Sequence, residues 1–278
     1  MPSSAVITCK NGLVIGETKP AFMRQNSWRY IFRLSFVLGW EDVRGMYRRT
    51  VLGQFWITLS MLVMAGAISI VFGLLFKIPI ETYLPYLLSG LVFWNLMTST
   101  ITDGANAFNL SAPYIQQHAA PKIIYYMRSL WKGIITLAHN IVVIPVVWFF
   151  FQDSYSWNML LFIPGLIIGY IAVASFGLVM AFLATRFRDI PQIMNSALLV
   201  LFYVTPVIWE ADRLNSRTVE LVVSLNPLAS ILQIMRLPLL NIAPSQQEWF
   251  IALAWTLIFV VIAFFTYRKF RSQIAYWI

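Results

Sequence analysis

Long apolar segments without charge restrict this chain to one kind of environment. The clearest of them, Phe55–Phe76, contains no charged residue over its whole length. The chain of 278 residues is 59% hydrophobic and only 11% charged, whereas soluble domains carry about 25% charged residues. A water-soluble fold of this length could not bury so much apolar surface. The sequence therefore predicts an integral membrane protein.

Six predominantly apolar segments divide residues 51–278. Each is long enough to cross a hydrocarbon core of about 30 Å at about 1.5 Å per residue, with tilt where it is needed. The pattern predicts an all-α polytopic membrane protein with six transmembrane helices. The predicted spans are 55–76, 83–101, 130–151, 159–183, 193–209 and 249–267.

The segment before the first span has a different character. Residues 1–26 have the composition of an irregular tail, and residues 27–50 predict an amphipathic helix that Ser27 can cap. We expect this helix to lie in the membrane interface; an ordinary amphipathic helix packed on protein is the alternative. At about 100° per residue, one arc of its surface gathers Trp28, Phe32, Phe36, Trp40, Val43 and Tyr47, and Arg33, Arg44 and Arg48 lie beside that arc.

Two connections, 102–129 and 210–248, are too long to be simple turns. The second contains the moderately apolar pieces 218–225 and 229–240, separated by Asn226-Pro227. Neither piece is long enough to span a membrane. The sequence therefore predicts a re-entrant helix pair at 218–240, between spans five and six, with its backbone shielded by protein.

The distribution of Lys and Arg predicts the orientation. With the N-terminus in the cytosol, sixteen of the 20 basic residues fall in cytosolic segments and four on the opposite side. This bias predicts that both termini are cytosolic. The net charge of +9 would also suit nucleic acid, but the basic residues lie in loops between apolar runs. We therefore expect contact with membrane lipids and none with nucleic acid.

Enzymatic signatures are missing from the sequence. It contains no phosphate-binding G-x-x-x-x-G-K-[ST] motif, no H-E-x-x-H and no C-x-x-C. His118 and His139 have no partner at metal-ligand spacing, and the single cysteine, Cys9, excludes an internal disulfide. We therefore expect no catalytic residue, metal or cofactor in this chain. His139 lies inside an apolar segment, where either a structural role or a transport role is open.

The acidic residues indicate where the energy comes from. All of them lie in loops or at the ends of spans. A carrier coupled to protons or sodium usually needs an ionisable group near the membrane midplane. The sequence therefore suggests that another chain supplies the energy.

Aromatic residues near spans two and five are the positive signal for a substrate. Aromatic faces suit the C–H faces of sugars and allow sliding without tight binding. An ordinary belt of interfacial Trp and Tyr is the alternative. The predicted substrate path comprises Phe93, Trp94, Phe202, Tyr203 and Trp209.

Four motifs together resemble the type-2 ABC export permeases. They are the basic entry to the first span, the loop between spans four and five, the Pro-containing fifth span and the turn of the re-entrant segment. The resemblance covers roughly residues 28–275 and is greatest to the permease subunits of polysaccharide exporters, the O-antigen, capsule and teichoic-acid branches. The motifs occupy Arg44–Trp56, Thr185–Pro191, Tyr203–Trp209 and Asn226-Pro227.

The resemblance implies a homodimer with two separate ATP-binding-cassette subunits, which would bind ATP and Mg. Lipid-linked polysaccharide, O-antigen first, would cross the bacterial inner membrane through a channel at the dimer axis. Capsule or teichoic acid, and a small molecule or drug, are alternative cargoes. A membrane-embedded transferase is the alternative from another class.

The resemblance also implies where the ATPase binds. The helix 28–49 and a coupling segment at 106–126 would clamp it, and the compact loop Thr185–Pro191 suits docking or a hinge, although the positive-inside rule alone could explain its arginines. The predicted contact residues are Trp40, Arg44, Tyr47, Arg48, Arg49, Tyr114, His118, Arg186, Arg188 and Asp189.

Overall fold

Helices make up the regular secondary structure of the computed structural model, which describes residues 27–53, 55–117, 120–151, 156–210 and 223–278. The predicted tail at 1–26 lies outside the described residues. The helices are α1 Trp28–Met46, α2 Phe55–Phe76, α3 Ile80–Leu110, α4 Ala112–Gln117, α5 Ile123–Asn140, α6 Val143–Phe151, α7 Phe162–Arg186, α8 Ile190–Val204, α9 Pro227–Arg236, α10 Gln246–Phe270 and α11 Ile274–Trp277. A short 3-10 turn, Trp157–Leu161, precedes α7, and another, Leu237–Leu240, follows α9.

The described residues contain five helical stretches that are long and apolar enough to cross a membrane. They are α2, α3, α5 with α6, α7 with its 3-10 turn, and α10. At the predicted span 193–209 the structure has α8, whose 15 residues extend about 22 Å, less than a hydrocarbon core of about 30 Å. The remainder of that segment is irregular because Pro206 cannot continue the helix.

The helix α3 is the centre of the bundle. It packs against α2, α5, α6, α7, α8 and α9. Of its most apolar 18 residues, 67% are buried inside the bundle, whereas the same share is 17% for α2 and for α10. This helix begins before and ends after the predicted span 83–101. Its 31 residues are about 46 Å long. Its last turns therefore project past the hydrocarbon region at the end of the bundle where α1 lies.

The predicted span 130–151 begins earlier and is broken. The helix α5 starts at Ile123, and a turn at Ile141 and Val142 separates it from α6. Pro145 explains the break, because it has no N–H to donate to the carbonyl of Ile141 and its ring would crowd that carbonyl.

The predicted re-entrant segment contains α9, and its residues 218–222 lie outside the described part of the chain. Asn226 caps α9 by accepting a 3.0 Å hydrogen bond from the N–H of Leu228. The ten residues of α9 extend about 15 Å, too short to cross a membrane. Apart from Gln233, all residues after Pro227 in α9 are buried, so protein shields this helix from lipid.

Close contact between α9 and α7 depends on glycine. A Cβ atom at Gly165 would lie 2.2 Å from the carbonyl oxygen of Ile234, and one at Gly169 would lie 2.6 Å from the sulfur of Met235. Because only a hydrogen fits at these two positions, α9 lies directly on the backbone of α7. The first half of α7 therefore supports the short helix.

The helix α1 packs on α5 through a stripe that differs from its aromatic arc. The buried residues, four apart, are Ile31, Ser35, Gly39 and Val43. Most of the aromatic arc stays exposed, Trp40 at 41%, as expected for a helix that also contacts the membrane interface. One face of this helix therefore packs on protein, and its place in the membrane interface stays a prediction.

Candidate functional site

A groove runs along α3 between α2 and α8. Two adjoining cavities of about 460 Å³ and 400 Å³ lie in it. Both are lined by Trp94, Thr98 and Phe202, so they form one continuous space, which we call the α3 groove. Further lining residues include Tyr47, Trp56, Ser60, Asn95, Ser99, Thr102, Asn195 and Leu199.

The α3 side of the groove is polar. Asn95, Thr98, Ser99 and Thr102 recur at helical spacing and therefore lie on one face of α3. The hydroxyl of Thr98 donates to the carbonyl of Trp94 at 2.9 Å, and that of Thr102 donates to the carbonyl of Thr98 at 2.9 Å. These bonds satisfy the hydroxyl hydrogens within the helix and leave oxygen lone pairs to accept hydrogen bonds from a ligand.

An aromatic pair lies beside this polar row. The rings of Trp94 and Phe202 are 5.6 Å apart at an angle of 53°, which joins α3 to α8 across the groove. An aromatic surface next to a row of acceptors can accommodate a ligand that has both C–H faces and hydroxyl groups.

The other predicted path residues occupy different positions. Phe93 is fully buried and its ring packs 5.6 Å from that of Phe162, so it is a core residue, and its inclusion in the path is corrected. It is adjacent to Trp94, about 100° away around α3, and it does not line the α3 groove. Tyr203 is 65% exposed on α8, and the indole N–H of Trp209 donates to its carbonyl at 2.9 Å.

The irregular segment 205–209 after α8 is held by side chains of α3 and α9. Thr205, Pro206 and Val207 are buried, and a helix end at membrane depth is tolerated only where protein satisfies its polar groups. The four bonds are Tyr83 hydroxyl to Ile208 carbonyl at 2.8 Å, Tyr86 hydroxyl to Trp209 carbonyl at 2.8 Å, Arg236 guanidinium to Pro206 carbonyl at 2.8 Å, and Asn226 amide to Thr205 hydroxyl at 2.8 Å.

The sequence predictions missed both the polar row and these anchoring residues. The row carries a signal, because polar residues at spacings of three and four inside an apolar segment mark one helix face. Arg236 also carries one, since it is the lone charge in the apolar piece 229–240. Tyr83 and Tyr86 carry none, because interfacial tyrosines are ordinary in membrane proteins.

At the other end of the bundle, ion pairs tie α1 to α5 and α5 to α3. Both Nε and an Nη of Arg128 donate to the carboxylate of Asp42, the Nε at 2.6 Å. The ammonium of Lys132 lies 2.9 Å from the carboxylate of Asp103. All four side chains are about three-quarters buried, so these pairs are less screened than exposed ones.

Most of the predicted ATPase-contact residues lie at this α1 end. The side-chain amide of Asn109 donates to the carbonyl of Ala184 at 3.1 Å, which places the last turn of α3, α4 and the loop after α7 together. Tyr47 instead lines the α3 groove, and His118 lies outside the described residues. The exposed members are Trp40, Arg44, Arg48, Arg49, Tyr114, Arg186, Arg188 and Asp189.

His139 lies where α5 meets α2. Its Nδ1 bonds with the carbonyl of Ile135 at 2.8 Å, its ring is 6.5 Å from that of Phe55, and its carbonyl accepts from the hydroxyl of Thr58 at 3.1 Å. These contacts favour the structural role, with a partner in its own helix. Among the described residues, no three His, Cys, Asp or Glu side chains are grouped so that they could hold a metal.

A polytopic helical bundle with a polar and aromatic groove between its spans has the architecture of a membrane transport protein. The sequence profile of the family described as ABC-2 type transporter matches residues 33–240, and the chain belongs to that family. The resemblance to type-2 ABC permeases is therefore confirmed. The chain is a transport subunit and not an enzyme, and its family implies that it works with ATP-binding-cassette subunits.

Three relatives of the chain have the same protein name. The chain is 27% identical over 211 residues to an O-antigen export system permease protein RfbA of Klebsiella pneumoniae, covering 73% of this chain and 78% of the relative. It is 25% identical over 205 residues to a second protein of that name from the same organism, with the same coverage. It is 20% identical over 201 residues to the Myxococcus xanthus protein of that name, covering 69% of this chain and 74% of the relative.

Proposed function

We propose that this chain is the permease subunit of an ATP-driven exporter of lipid-linked polysaccharide, with O-antigen as its cargo. The observation that carries the proposal is the α3 groove, in which the Trp94–Phe202 pair lies beside a row of hydrogen-bonding residues. A glycan presents C–H faces to the rings and hydroxyl groups to the row. The relatives' names support O-antigen in preference to capsule, teichoic acid or a small molecule.

The groove is half of a channel in this proposal. Asn95 and Asn195 lie exposed beside it, and polar groups facing hydrocarbon are costly. Its borders on α8 are apolar and unpartnered, with Leu199, Val200 and Tyr203 all more than 60% exposed. A second copy related by a two-fold axis would cover these borders and enclose the polar row. We therefore propose a homodimer with the path at its axis.

The α1 end faces the cytosol of a bacterium in this proposal, because most of the basic residues lie at that end. The chain sits in the inner membrane with both termini cytosolic. The exposed residues of α1, α4 and the loop 187–189 then form the surface for the ATP-binding-cassette subunits. Those subunits bind ATP and Mg, and this chain itself binds no cofactor.

Movement passes from the ATPase to the groove through the ion pairs. A force on α1 reaches α5 through Asp42 and Arg128, and it reaches α3 through Lys132 and Asp103. Since α3 carries the polar row, a shift of this packed unit reshapes the groove. At the other end, α9 holds the segment 205–209 that ends α8, so its displacement would open the exit.

Reconstitution tests the proposal. The chain is co-expressed with its ATP-binding-cassette partner, placed in proteoliposomes, and supplied with a labelled lipid-linked O-antigen. We expect the glycan to change leaflet only when ATP and the partner are both present. Transport by the chain alone, or ATP-dependent transport of small drugs with none of the glycan, would refute the proposal.

A further inference from the structure

A second cavity lies at the α9 end of the bundle and shares no lining residue with the α3 groove. Its volume is about 420 Å³, within the range of about 300–1,000 Å³ that is typical of small-molecule sites. The start of α3, the end of α6, α9 with its 3-10 turn, and Glu210 surround it. We call this cavity the α9-end pocket.

One wall of the pocket carries charges of both signs. Glu81 and Glu210 contribute carboxylates, and the guanidinium of Arg236 lies between Tyr86 and Gln233. Arg236 is 1% exposed. One Nη donates to the carbonyl of Pro206, the other donates to the side-chain oxygen of Gln233 at 2.9 Å, and the guanidinium carbon lies 4.0 Å from the centre of the Tyr86 ring. The group is therefore fixed in place.

Arg236 still has a donor to offer. Within the described part of the chain, its Nε is buried and lacks a hydrogen-bond partner. A buried charged group with an unsatisfied N–H is costly, so a ligand that reaches this donor would relieve that cost. Because the oxygen of Gln233 already accepts from Arg236, the amide NH₂ of Gln233 is a further donor for a ligand.

The mixture of groups selects the class of ligand. Two carboxylates repel an anion, and the buried guanidinium disfavours a simple cation. A hydroxyl group both donates and accepts, so it can pair with a carboxylate and with an N–H donor. Phe151, Leu240 and Ile242 add apolar surface to the lining, and such a surface suits the C–H face of a sugar ring. We propose that the α9-end pocket binds a neutral sugar unit.

The location of the pocket indicates what the bound sugar is. This assignment rests on the proposed function, since the sugar would be a unit of the polymer that has left the α3 groove. Tyr86 and Arg236 line the pocket and also hold the segment 205–209. A bound sugar therefore contacts the residues that fix the end of α8. This links occupancy of the exit to the position of Phe202 in the groove.

Binding of a simple neutral disaccharide tests the site without transport. The full chain with its ATPase partner is placed in lipid nanodiscs, and lactose is added as the probe in saturation-transfer difference NMR. We expect lactose to bind weakly to the wild type and about tenfold more weakly to the Glu81→Gln/Glu210→Gln double variant, because hydrogen bonds to two carboxylates are weakened. Glu81 is exposed, so the single Glu81→Gln variant keeps the fold and should lose part of the binding.

The matched control is Glu41→Gln, which removes one carboxylate at the opposite end, where that side chain is 60% exposed. It should bind lactose as the wild type does. Inorganic phosphate and Mg²⁺ serve as separate probes, and binding of either one without lactose would overturn the proposal. Equal lactose binding in the wild type and the double variant would overturn it as well.

Export is measured on the same preparation so that the two proposals fail separately. A complex that exports the glycan with ATP but binds no lactose retains the proposed function and refutes the sugar site. A complex in which lactose binds and is lost in the double variant supports the site, whether the exported cargo is O-antigen or another glycan.

Discussion

The guanidinium of Arg236 on α9 donates a 2.8 Å hydrogen bond to the main-chain carbonyl of Pro206, thirty residues away. Pro206 lies just beyond the last turn of α8, where the chain leaves helical geometry. The bond therefore joins the short buried helix to the point at which a span stops inside the bundle. The carbonyl also accepts a longer bond, 3.2 Å, from the hydroxyl of Tyr86, so two side chains satisfy the helix end away from water.

Replacing Arg236 with Met is expected to destabilise the protein by about 3 kcal/mol, because the charged hydrogen bonds to the carbonyl of Pro206 and to the side chain of Gln233 are both lost. The measurement is the apparent melting temperature in nanodiscs, followed by tryptophan fluorescence. Arg271→Met removes an exposed arginine at the other end and should leave that temperature unchanged. If the two variants melt alike, the bond to Pro206 does not hold the helix end.

Trp94 is only 8% exposed, so Trp94→Ala should cost some stability, but export by each assembled complex should also slow by a factor on the order of ten, because an aromatic contact to the substrate is worth about 1 kcal/mol. Trp94→Phe should recover most of the rate. The adjacent Phe93 is the control, since it is fully buried in the core and Phe93→Ala should lose folded protein, at about 3–5 kcal/mol. Equal loss of assembled complex in both alanine variants would mean that Trp94 only packs.

Hydropathy was sufficient to predict the membrane class and most spans, because a span depends on a run of apolar residues and little else. It failed at α8, where the apolar run continues beyond Pro206 but the helix does not. The segment 205–209 is buried as irregular chain since Tyr83, Tyr86 and Arg236 satisfy its carbonyls. Those partners are distant in sequence, so no local pattern could reveal them.

The candidate site was predicted only in part, because it too depends on contacts between residues that are distant in sequence. Trp94 and Phe202 lie within predicted spans two and five, and their aromatic character was enough to single them out. Phe93 was indistinguishable from Trp94 by composition; both are buried, but Trp94 also lines the α3 groove and Phe93 does not. The contact between Gly39 and α5 was also missed, because a glycine in a helix reveals close packing only when the neighbouring helix is known.

Gly39→Ala should weaken the attachment of α1 to α5. A Cβ atom there would lie 2.8 Å from the Cβ of Trp131 and 2.9 Å from the carbonyl of Arg128, and a helix backbone cannot yield as a flexible side chain does. We expect increased proteolysis of α1 in native membranes and a loss of about 1–3 kcal/mol.

Gly45→Ala provides the matched control, because it lies in the same helix and its added Cβ would meet nothing within 4 Å. It should stabilise α1 by up to about 1 kcal/mol through helix propensity. Protease resistance that is lowered equally by both substitutions would contradict close packing at Gly39.

The exposed loop after α7 gives a prediction on assembly. Arg186→Glu/Arg188→Glu should weaken association with the ATPase subunit, and the wild-type association should fall with added salt because exposed charges are screened. Pull-down of the partner over a range of NaCl concentrations measures both effects. Arg268→Glu/Arg271→Glu makes the same charge change on two exposed residues at the same end, and a similar loss in that variant would indicate a general charge effect.

Asp42→Asn should separate ATP hydrolysis from transport. The carboxylate of Asp42 accepts two hydrogen bonds from Arg128 and is about three-quarters buried, so its neutralisation leaves a partly buried guanidinium with a weaker partner. We expect the complex to assemble and hydrolyse ATP, but to export several-fold less glycan for each ATP consumed. The adjacent Glu41 pairs with Arg44 at 3.8 Å on the exposed face, where an ion pair contributes about 0–1 kcal/mol, so Glu41→Gln should keep the wild-type ratio. If Asp42→Asn lowers hydrolysis and export in proportion, the pair serves docking of the ATPase rather than transmission of its movement to α3.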